Sequence, residues 1–379
     1  MSRGREPDAV VRVADAADGA PAPGDPEARD AVGTAALTGD GSGREPATTE
    51  GRRPRARGVV VGSATAVVTL VVALVALSLG DYPLTLGKVA ASFVSDTGFA
   101  RTIVLEWRLP RVLAAIAFGA ALGASGALFQ TLTRNPLGSP DVIGFSTGAY
   151  TGAIVVITLG AGGVVGTSVG ALAGGLATAL VVYLLAWRRG VAGFRLIVVG
   201  IAVTAVLTSL NNYLLLRAQT EVAMAASIWG AGSLALVGWE QLAVVGPILV
   251  VLAFATALVV PPLRQLELGD DAARAHGVPV EPARLAVVVV GVALIAIVTA
   301  ACGPIAFVAL AAPQIAKRLH AGAGIPVAGA AGLGAVLLLV ADTLGQHVLP
   351  GVTPVGIVTV VLGGVYLIVL LVKEARQRL

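Results

Sequence analysis

Residues 52–79 read RRPRARGVVVGSATAVVTLVVALVALSL, a cluster of arginines followed by a long run without any charge. An α-helix needs about 20 predominantly apolar residues to cross the hydrocarbon core of a bilayer, and residues 59–79 meet that length. Arginines directly before a span favour the cytoplasmic side of the membrane, which is the positive-inside rule. The stretch therefore predicts a transmembrane helix whose amino-terminal end is cytoplasmic.

The composition of the whole chain extends this prediction. Of its 379 residues, 56% are apolar and 13% are charged, whereas an ordinary soluble domain is roughly 25% charged. The formal net charge is +4, but no basic stripe alternates with aromatic residues, so nucleic acid is not an expected partner. The lone Cys302 excludes a disulfide framework and a CxxC metal or redox pair. We predict an all-α polytopic membrane protein in contact with membrane lipid.

Residues 1–57 differ from the rest of the chain, because they contain one leucine and no aromatic residue. Such a segment buries too little apolar surface to offset the entropy of its ordering. No apolar core follows the initial methionine within thirty residues, so the segment does not have the form of a cleaved signal peptide. We predict a disordered cytoplasmic tail at 1–57 and a membrane domain at 58–379.

Hydropathy predicts ten transmembrane helices. Their approximate cores are 59–79, 112–132, 142–160, 164–186, 194–216, 241–260, 285–302, 304–319, 325–345 and 354–372. An even number of spans returns the carboxyl terminus to the side of the amino terminus, so both termini are expected in the cytoplasm.

The basic residues from position 52 onward support this count. With ten spans, sixteen of them fall on the cytoplasmic side, including the four at 52–57, and five fall outside: Lys88, Arg101, Arg108, Arg111 and Arg217. One span more or fewer would remove this bias. Inside the spans charges are nearly absent, and Asp342 is the main exception. The scarcity of intramembrane carboxylates counts against a proton- or sodium-driven carrier, which usually needs them.

Two polar segments interrupt the apolar pattern on the predicted cytoplasmic side. RNPLGSPDVIG at 134–144 contains Asn-Pro and Ser-Pro, which disfavour helix before each proline, so it predicts a shaped element between spans two and three. LELGDDAARAHGVPVEPAR at 266–284 predicts a short helix from Leu268 to His276. Its early acids suit the helix dipole, and Gly277 is a natural left-handed stop.

Several motifs in order carry a resemblance to a known family. They are RLPRVLAAIAFGAALGASGALFQTLTRNPLGSPDVIGFSTGA at 108–149, GFRLIVVGIAV at 193–203, LGDDAARAHGV at 268–278, GPIAFVALAAPQIAKRL at 303–319, ADTLGQHVL at 341–349 and PVGIVTVVLGG at 354–364. Together they closely resemble the FecCD-type permeases, the membrane subunits of ABC importers for iron-siderophores, haem and cobalamin. The resemblance covers roughly residues 59–372.

The resemblance implies a fold and a set of partners. It implies the type II ABC importer permease fold, with ten transmembrane helices and both termini in the cytoplasm of a bacterium whose inner or plasma membrane holds the protein. Two permease subunits, as a homodimer or with a paralogue, enclose one pathway and pair with two ATPase subunits. An extracytoplasmic binding protein delivers the substrate, which for this chain would be an iron(III)-siderophore.

The resemblance also assigns roles to the polar segments. The loop at about 261–284 would form two short helices that dock on the ATPase, with the small apolar contact supplied by Ala272, Ala273 and Val278. The coupling residues it implies are Leu268, Gly269, Asp270, Asp271, Ala272, Ala273, Gly277 and Val278.

Two external arginines, Arg108 and Arg111, precede span two. If that segment is helical, they share one face, and the resemblance implies that they contact glutamates on the binding protein. A third docking arginine of some members falls on Gln346 here. That departure suggests an asymmetric dimer with a paralogue or weaker docking on one side.

Gate residues and cargo follow from further matches. Asn135 and Leu137, on either side of Pro136, match the inner gate of a cobalamin-importing relative, whereas the Thr-Ser pair of its other inner gate aligns with Gly193 and Phe194. Gln314 replaces a histidine of many members, a variant associated with ferric-siderophore permeases of the ferric enterobactin type. These matches favour an iron-siderophore over cobalamin or haem.

Other classes of function are weighed against this one. A Walker A loop, G-x-x-x-x-G-K-[ST], is absent from the sequence, so ATP is expected to be used by a partner subunit, with no cofactor bound by this chain. The three histidines are scattered, which does not suggest a metal site. An ion-coupled secondary carrier remains an alternative. A membrane enzyme would need a catalytic cluster at one depth, and the sequence suggests no catalytic residue.

Overall fold

The structure is a computed structural model that describes residues 53–141, 144–160, 163–186, 193–320, 324–349 and 353–378. These residues form helices and turns and contain no β-strand. The helices are α1 Arg53–Ser78, α2 Leu86–Val94, α3 Phe99–Thr102, α4 Leu109–Thr133, α5 Phe145–Thr158, α6 Val164–Ala186, α7 Gly193–Arg217, α8 Thr220–Gly230, α9 Trp239–Glu267, α10 Asp270–Ala275, α11 Val280–Cys302, α12 Val308–His320, α13 Val327–His347 and α14 Val355–Arg378. A π-helical turn, Ile103–Arg108, joins α3 to α4.

Seven helical segments of the described chain are long and apolar enough to cross a membrane. They are Arg57–Ser78, Phe99–Thr133, Val165–Ala186, Arg195–Arg217, Trp239–Glu267, Val280–Cys302 and Val327–His347. Two shorter apolar helices, Phe145–Thr158 and Val355–Val369, coincide with predicted spans three and ten, and the 13-residue α12 coincides with span eight. The all-α, multi-pass architecture is therefore confirmed, while the count of ten spans stays a prediction.

Helix α4 lies at the centre of the helix assembly and packs against α9, α11, α12 and α13. Its contact with α13 depends on glycine, because a Cβ atom at Gly119 would overlap the carbonyl oxygen of Gly334, and one at Gly123 would overlap that of Ala330. Lipid offers no hydrophobic drive for helix association, so small residues that let backbones approach supply van der Waals contact instead. The glycines of the sequence thus bring the central helices together.

Polar contacts distinguish two ends of the helix assembly. At one end the Arg57 Nε atom donates to the carbonyl oxygen of Leu319 at 2.9 Å, which places the start of α1 beside the end of α12. At the other end the Arg108 guanidinium lies beside the end of α1, where it donates to the Leu77 carbonyl oxygen at 2.8 Å. We call these the Arg57 end and the Arg108 end.

The predicted tail lies almost wholly outside the described residues. Helix α1 begins at Arg53, so residues 53–57 are helical, and this part of the prediction for 1–57 needs correction. The apolar helix simply extends back through the arginine cluster, since arginine is a good helix former. Disorder and location of the tail stay predictions.

Candidate functional site

Helix α10 forms the centre of the predicted coupling segment. Gly269, with φ 115°, precedes it, and Gly277, with φ 79°, follows it, so both bends use a backbone conformation that favours glycine. The Val278 amide donates to the Ala273 carbonyl at 3.0 Å and closes the end of the helix. Between α9 and α11 one short helix forms rather than the two implied by the resemblance, because Val280, after Pro279, already begins α11.

The inner side of α10 is fixed to its neighbours. Ala273 is fully buried. It belongs to a small apolar cluster with Leu266, Val280 and Ala283. The Arg284 guanidinium, whose side chain is 14% exposed, donates to both Asp270 carboxylate oxygens at 3.1 Å. Of the predicted coupling residues, Ala273 and Asp270 therefore hold α10 in place.

The outer side of α10 presents a different set of residues. Leu268 is 65% exposed, and the Asp271 side chain is fully exposed, where it accepts a hydrogen bond from Arg274 at 2.8 Å. Ala272 and Val278 are half-buried. The surface available to a partner thus includes Leu268, Asp271 and Arg274, and sequence reasoning missed Arg274.

The segment 134–141 follows α4 at the Arg57 end. Arg134 ends the helix in the left-handed conformation with φ 50°, and the Asn135 Oδ1 atom accepts a hydrogen bond from the Leu137 amide at 2.9 Å. This side-chain turn leaves Pro136 and Leu137 exposed. The predicted gate residues 135–137 therefore form a shaped surface turn.

Side chains tie this turn to two neighbouring elements. The Arg134 guanidinium donates to the Leu266 carbonyl at 2.6 Å, near the end of α9 and just before α10. The Gln314 amide of α12 donates to Gln130 Oε1 at 2.5 Å and to the Pro136 carbonyl at 3.4 Å. The turn is thus hydrogen-bonded both to the base of the coupling segment and to α12.

Asp141 closes this turn and was not assigned a role from the sequence. One carboxylate oxygen accepts a hydrogen bond from Ser146 at 2.6 Å, and the other has no hydrogen-bond partner among the described residues. Burial raises the pKa of Asp141 to about 6, against a smaller lowering by the Ser146 hydrogen bond. The sequence Pro140-Asp141 does not indicate that the carboxylate is buried, because its burial depends on how the following helix, α5, packs.

The other predicted gate pair, Gly193 and Phe194, lies in the first turn of α7. The structure does not describe their side chains. The next residue, Arg195, donates to the Ala186 carbonyl of α6 at 3.4 Å. Their part in a gate stays a prediction.

The two predicted docking arginines point to different partners at the Arg108 end. Arg108, in the π-helical turn, donates to the backbone carbonyls of Leu77 and Tyr82, each at 2.8 Å. Arg111 binds the Asp342 carboxylate of α13 with two nitrogens, at 2.8 and 3.0 Å. Arg108 thus contacts the end of α1 and the loop after it, whereas Arg111 contacts α13, and the shared docking face stays a prediction.

The Arg111–Asp342 pair is largely shielded from solvent. Its side chains are 16% and 4% exposed. Gln346, which replaces the third docking arginine, donates to the same carboxylate at 2.6 Å. An intramembrane acid usually pairs with a base, and that rule, applied to Asp342, could have identified this network from the sequence.

No group of three or more His, Cys, Asp or Glu side chains in the described part of the chain is arranged to hold a metal ion.

Comparison with known proteins gives consistent matches. The model of the FecCD transport family matches residues 68–373. The chain is 48% identical over 301 residues to the ferric enterobactin transport system permease protein FepG of Escherichia coli (strain K12), covering 79% of this chain and 91% of that protein. It is 34% identical over 322 residues to the hemin transport system permease protein HmuU of Yersinia pestis, with 82% and 96% covered.

Among solved structures, the chain resembles one described as an inward-facing conformation of a metal-chelate type ABC transporter. The TM-score is 0.73 at 25% identity, covering 83% of this chain and 99% of the other.

Proposed function

This chain belongs to the FecCD transport family, and from that premise we propose that it is the membrane-spanning permease subunit of an ABC importer for an iron(III)-siderophore. Two features support the cargo: the 48% identity to a ferric enterobactin permease and Gln314 in place of the histidine of many members. Haem is the second candidate, because a hemin permease is 34% identical over most of both chains, and cobalamin is a third.

The proposed orientation puts the Arg57 end in the cytoplasm. Arg57, Arg134, Arg264, Lys317 and Arg318 all belong to segments at that end, as the positive-inside rule requires. On this proposal the protein crosses the inner or plasma membrane of a bacterium ten times, with both termini and the 1–57 tail in the cytoplasm.

Coupling to a separate ATPase is the core of the proposal. The observation that carries it is the arrangement of α10, whose inner side is fixed by Ala273 and Asp270 while its outer side presents Leu268 and Asp271. A short helix whose inner side is held by its neighbours and whose outer side is exposed is suited to serve as a docking surface. Displacement of α10 would reach the gate turn through the Arg134–Leu266 hydrogen bond.

A second permease subunit would cover apolar surface that this chain leaves exposed. Val206 and Leu216 of α7 are 69% and 86% exposed, and Ile368 of α14 is 63% exposed. We assign these helices to contact with lipid and with the partner permease, which is a second copy or a paralogue. The gate residues 135–137, Gly193 and Phe194 would line the cytoplasmic end of the shared pathway.

Docking of the extracytoplasmic binding protein is proposed at the Arg108 end. Among the described residues no carboxylate lies within 4 Å of the Arg108 guanidinium, whereas the charge of Arg111 is neutralised by Asp342. Attraction to a glutamate should therefore be stronger at Arg108 than at Arg111. Gln346 supplies no charge of its own.

The coupling proposal is tested with Leu268→Glu in the complete transporter reconstituted in proteoliposomes. We expect loss of ATPase co-purification and of ATP-driven uptake, because a charge replaces an apolar contact. The matched control is Val94→Glu, since Val94 is an apolar residue of α2 that is 90% exposed and lies away from α10. Normal uptake by Leu268→Glu would refute the docking surface.

The cargo is tested separately. Wild-type transporter is supplied with ferric catecholate, ferric hydroxamate, haem or cobalamin, each on its cognate binding protein, and stimulated ATP hydrolysis is measured. We expect the strongest stimulation by a ferric siderophore. Uptake driven by an ion gradient without the ATPase would instead establish a secondary carrier.

A further inference from the structure

An open groove runs along α4 between α9 and α13. Its volume is about 1050 Å³. Small residues from all three helices form its lining, among them Ala120 and Ala124 of α4, Ala253 and Ala257 of α9, and Ala331 of α13. Arg264 lines it at the Arg57 end. The groove is thus mostly apolar, with Thr256 and Gln265 as its polar lining residues, and it carries a cation at one end.

The neighbouring surface of α9 is strongly apolar and exposed. Val250, Phe254 and Leu258 are 71%, 67% and 61% exposed, as expected for residues that face hydrocarbon in a multi-pass membrane protein. The groove therefore opens toward the bilayer, where lipid chains are the abundant apolar molecules.

The charge at the end of the groove is available to a ligand. Arg264 is exposed and makes no hydrogen bond or ion pair with another side chain among the described residues. Arg264, Lys317 and Arg134 all act electrostatically on one carboxylate, that of Glu267, so positive charge exceeds negative charge there. An anionic head group would be attracted.

The dimensions agree with a lipid of one leaflet. A helix rises about 1.5 Å per residue, so Ala257 lies about 10 Å and Ala253 about 16 Å along α9 from Arg264. Half of a typical hydrocarbon core is roughly 15 Å. A head group at Arg264 would place its acyl chain over both alanines.

We propose that this groove is a binding site for an anionic phospholipid, with the phosphate on Arg264 and an acyl chain between α9 and α13. None of the residues proposed above for the gate lines this groove, and the site does not depend on the identity of the cargo. Lipid retention, rather than uptake, is therefore the measurement that tests it.

The test measures binding of phosphatidylglycerol and phosphatidylcholine to the purified full-length chain by native mass spectrometry. Wild type should bind phosphatidylglycerol at least tenfold more tightly than phosphatidylcholine. Arg264→Gln should abolish this preference, whereas Arg264→Lys should keep it within about threefold, because an ammonium also pairs with phosphate. Lys88→Gln is the charge control, since Lys88 lies on α2, outside the groove.

A second variant tests the apolar part of the site. Ala257→Phe fills the groove and should weaken the binding of both lipids about tenfold. Val251→Phe adds an aromatic ring at an exposed position of α9 that does not line the groove, so it should leave the binding of both lipids unchanged. Equal binding of both lipids to wild type, or unchanged phosphatidylglycerol binding in Arg264→Gln or Ala257→Phe, would overturn the proposal. A photo-crosslinker at Ala253 should capture phospholipid in native membranes, and capture of a protein chain instead would also overturn it.

Discussion

Replacing Arg111 with methionine removes one half of the ion pair that joins α4 to α13. The Asp342 side chain left behind is 4% exposed, so its carboxylate would stay buried with the single donor from Gln346. Breaking a buried pair by removing one partner typically costs about 3–5 kcal/mol. At ~2 °C per kcal/mol for a large chain, the apparent melting temperature should fall by on the order of 6–10 °C.

The opposite half of the pair should be less sensitive. In Asp342→Asn the unpaired group is Arg111, which is 16% exposed and long enough to turn its charge toward solvent. We therefore expect a smaller fall than in Arg111→Met. The double variant Arg111→Met with Asp342→Leu leaves no buried charge and should recover most of the loss, because apolar replacement of a whole buried pair is often neutral.

Thermal unfolding of the detergent-purified permease, followed by size-exclusion chromatography, measures all three variants. A double variant as unstable as Arg111→Met would refute the reasoning, as would a shift below 2 °C for Arg111→Met. Binding-protein affinity of the stable double variant then separates docking from stability. Weaker binding by a stable double variant would support a docking role for Arg111 in addition to its structural one.

Three further outcomes follow from the packing and the gate turn. Gly126→Ala should destabilise the chain by about 1–3 kcal/mol in thermal unfolding, because its Cβ atom would overlap the Ala309 carbonyl. In the control Gly246→Ala the new Cβ atom meets no atom within 4 Å, so that variant should be neutral or slightly stabilising. Burial raises the pKa of Asp141 to about 6, so the protonated carboxyl stabilises the folded state fully below its unfolded pKa of roughly 4, and this stability is lost as pH rises through 6. Asp141→Asn should therefore melt at a higher temperature than wild type at pH 8 and at the same temperature at pH 4. Gln314→Leu leaves the buried Gln130 Oε1 atom without its donor, which should lower the free energy of unfolding by about 1–3 kcal/mol in the same assay. Unchanged stability of this variant would contradict a structural role for the hydrogen bond.

The local sequence predicted that a short helix forms at α10, but it did not predict which side of that helix is buried. Gly277 was predicted as the residue that ends the helix, whereas Gly269, which the prediction placed inside a helix from Leu268 to His276, precedes α10 with φ 115°. Which side of α10 faces inward depends on how α9 and α11 meet beneath it. For that reason Ala273, predicted to contact a partner, lies in the interior, and Asp270 binds Arg284.

Long-range pairing decides the surroundings of Arg111 at the Arg108 end. Arg111 and Asp342 are 231 residues apart, and the packing of α4 on α13 alone brings them together. A charge count assigns Arg111 to the external surface because it treats each basic residue as solvated. The one acid inside an otherwise uncharged span was the available signal, since a buried carboxylate requires a partner.

The polar bonds at the Arg57 end suggest how a small surface element acts on a distant turn. Helix α10 is held by buried apolar contacts below it and by Arg284 beside it, so pressure on Leu268 should displace α9, α10 and α11 together rather than bend α10 alone. The Arg134 side chain donates a hydrogen bond to the Leu266 carbonyl at the same end of α9, and Arg134 is also the first residue of the gate turn. If the proposed function is correct, the gate turn therefore moves together with the coupling segment, while the hydrogen bond from Gln314 of α12 limits the movement of the gate turn.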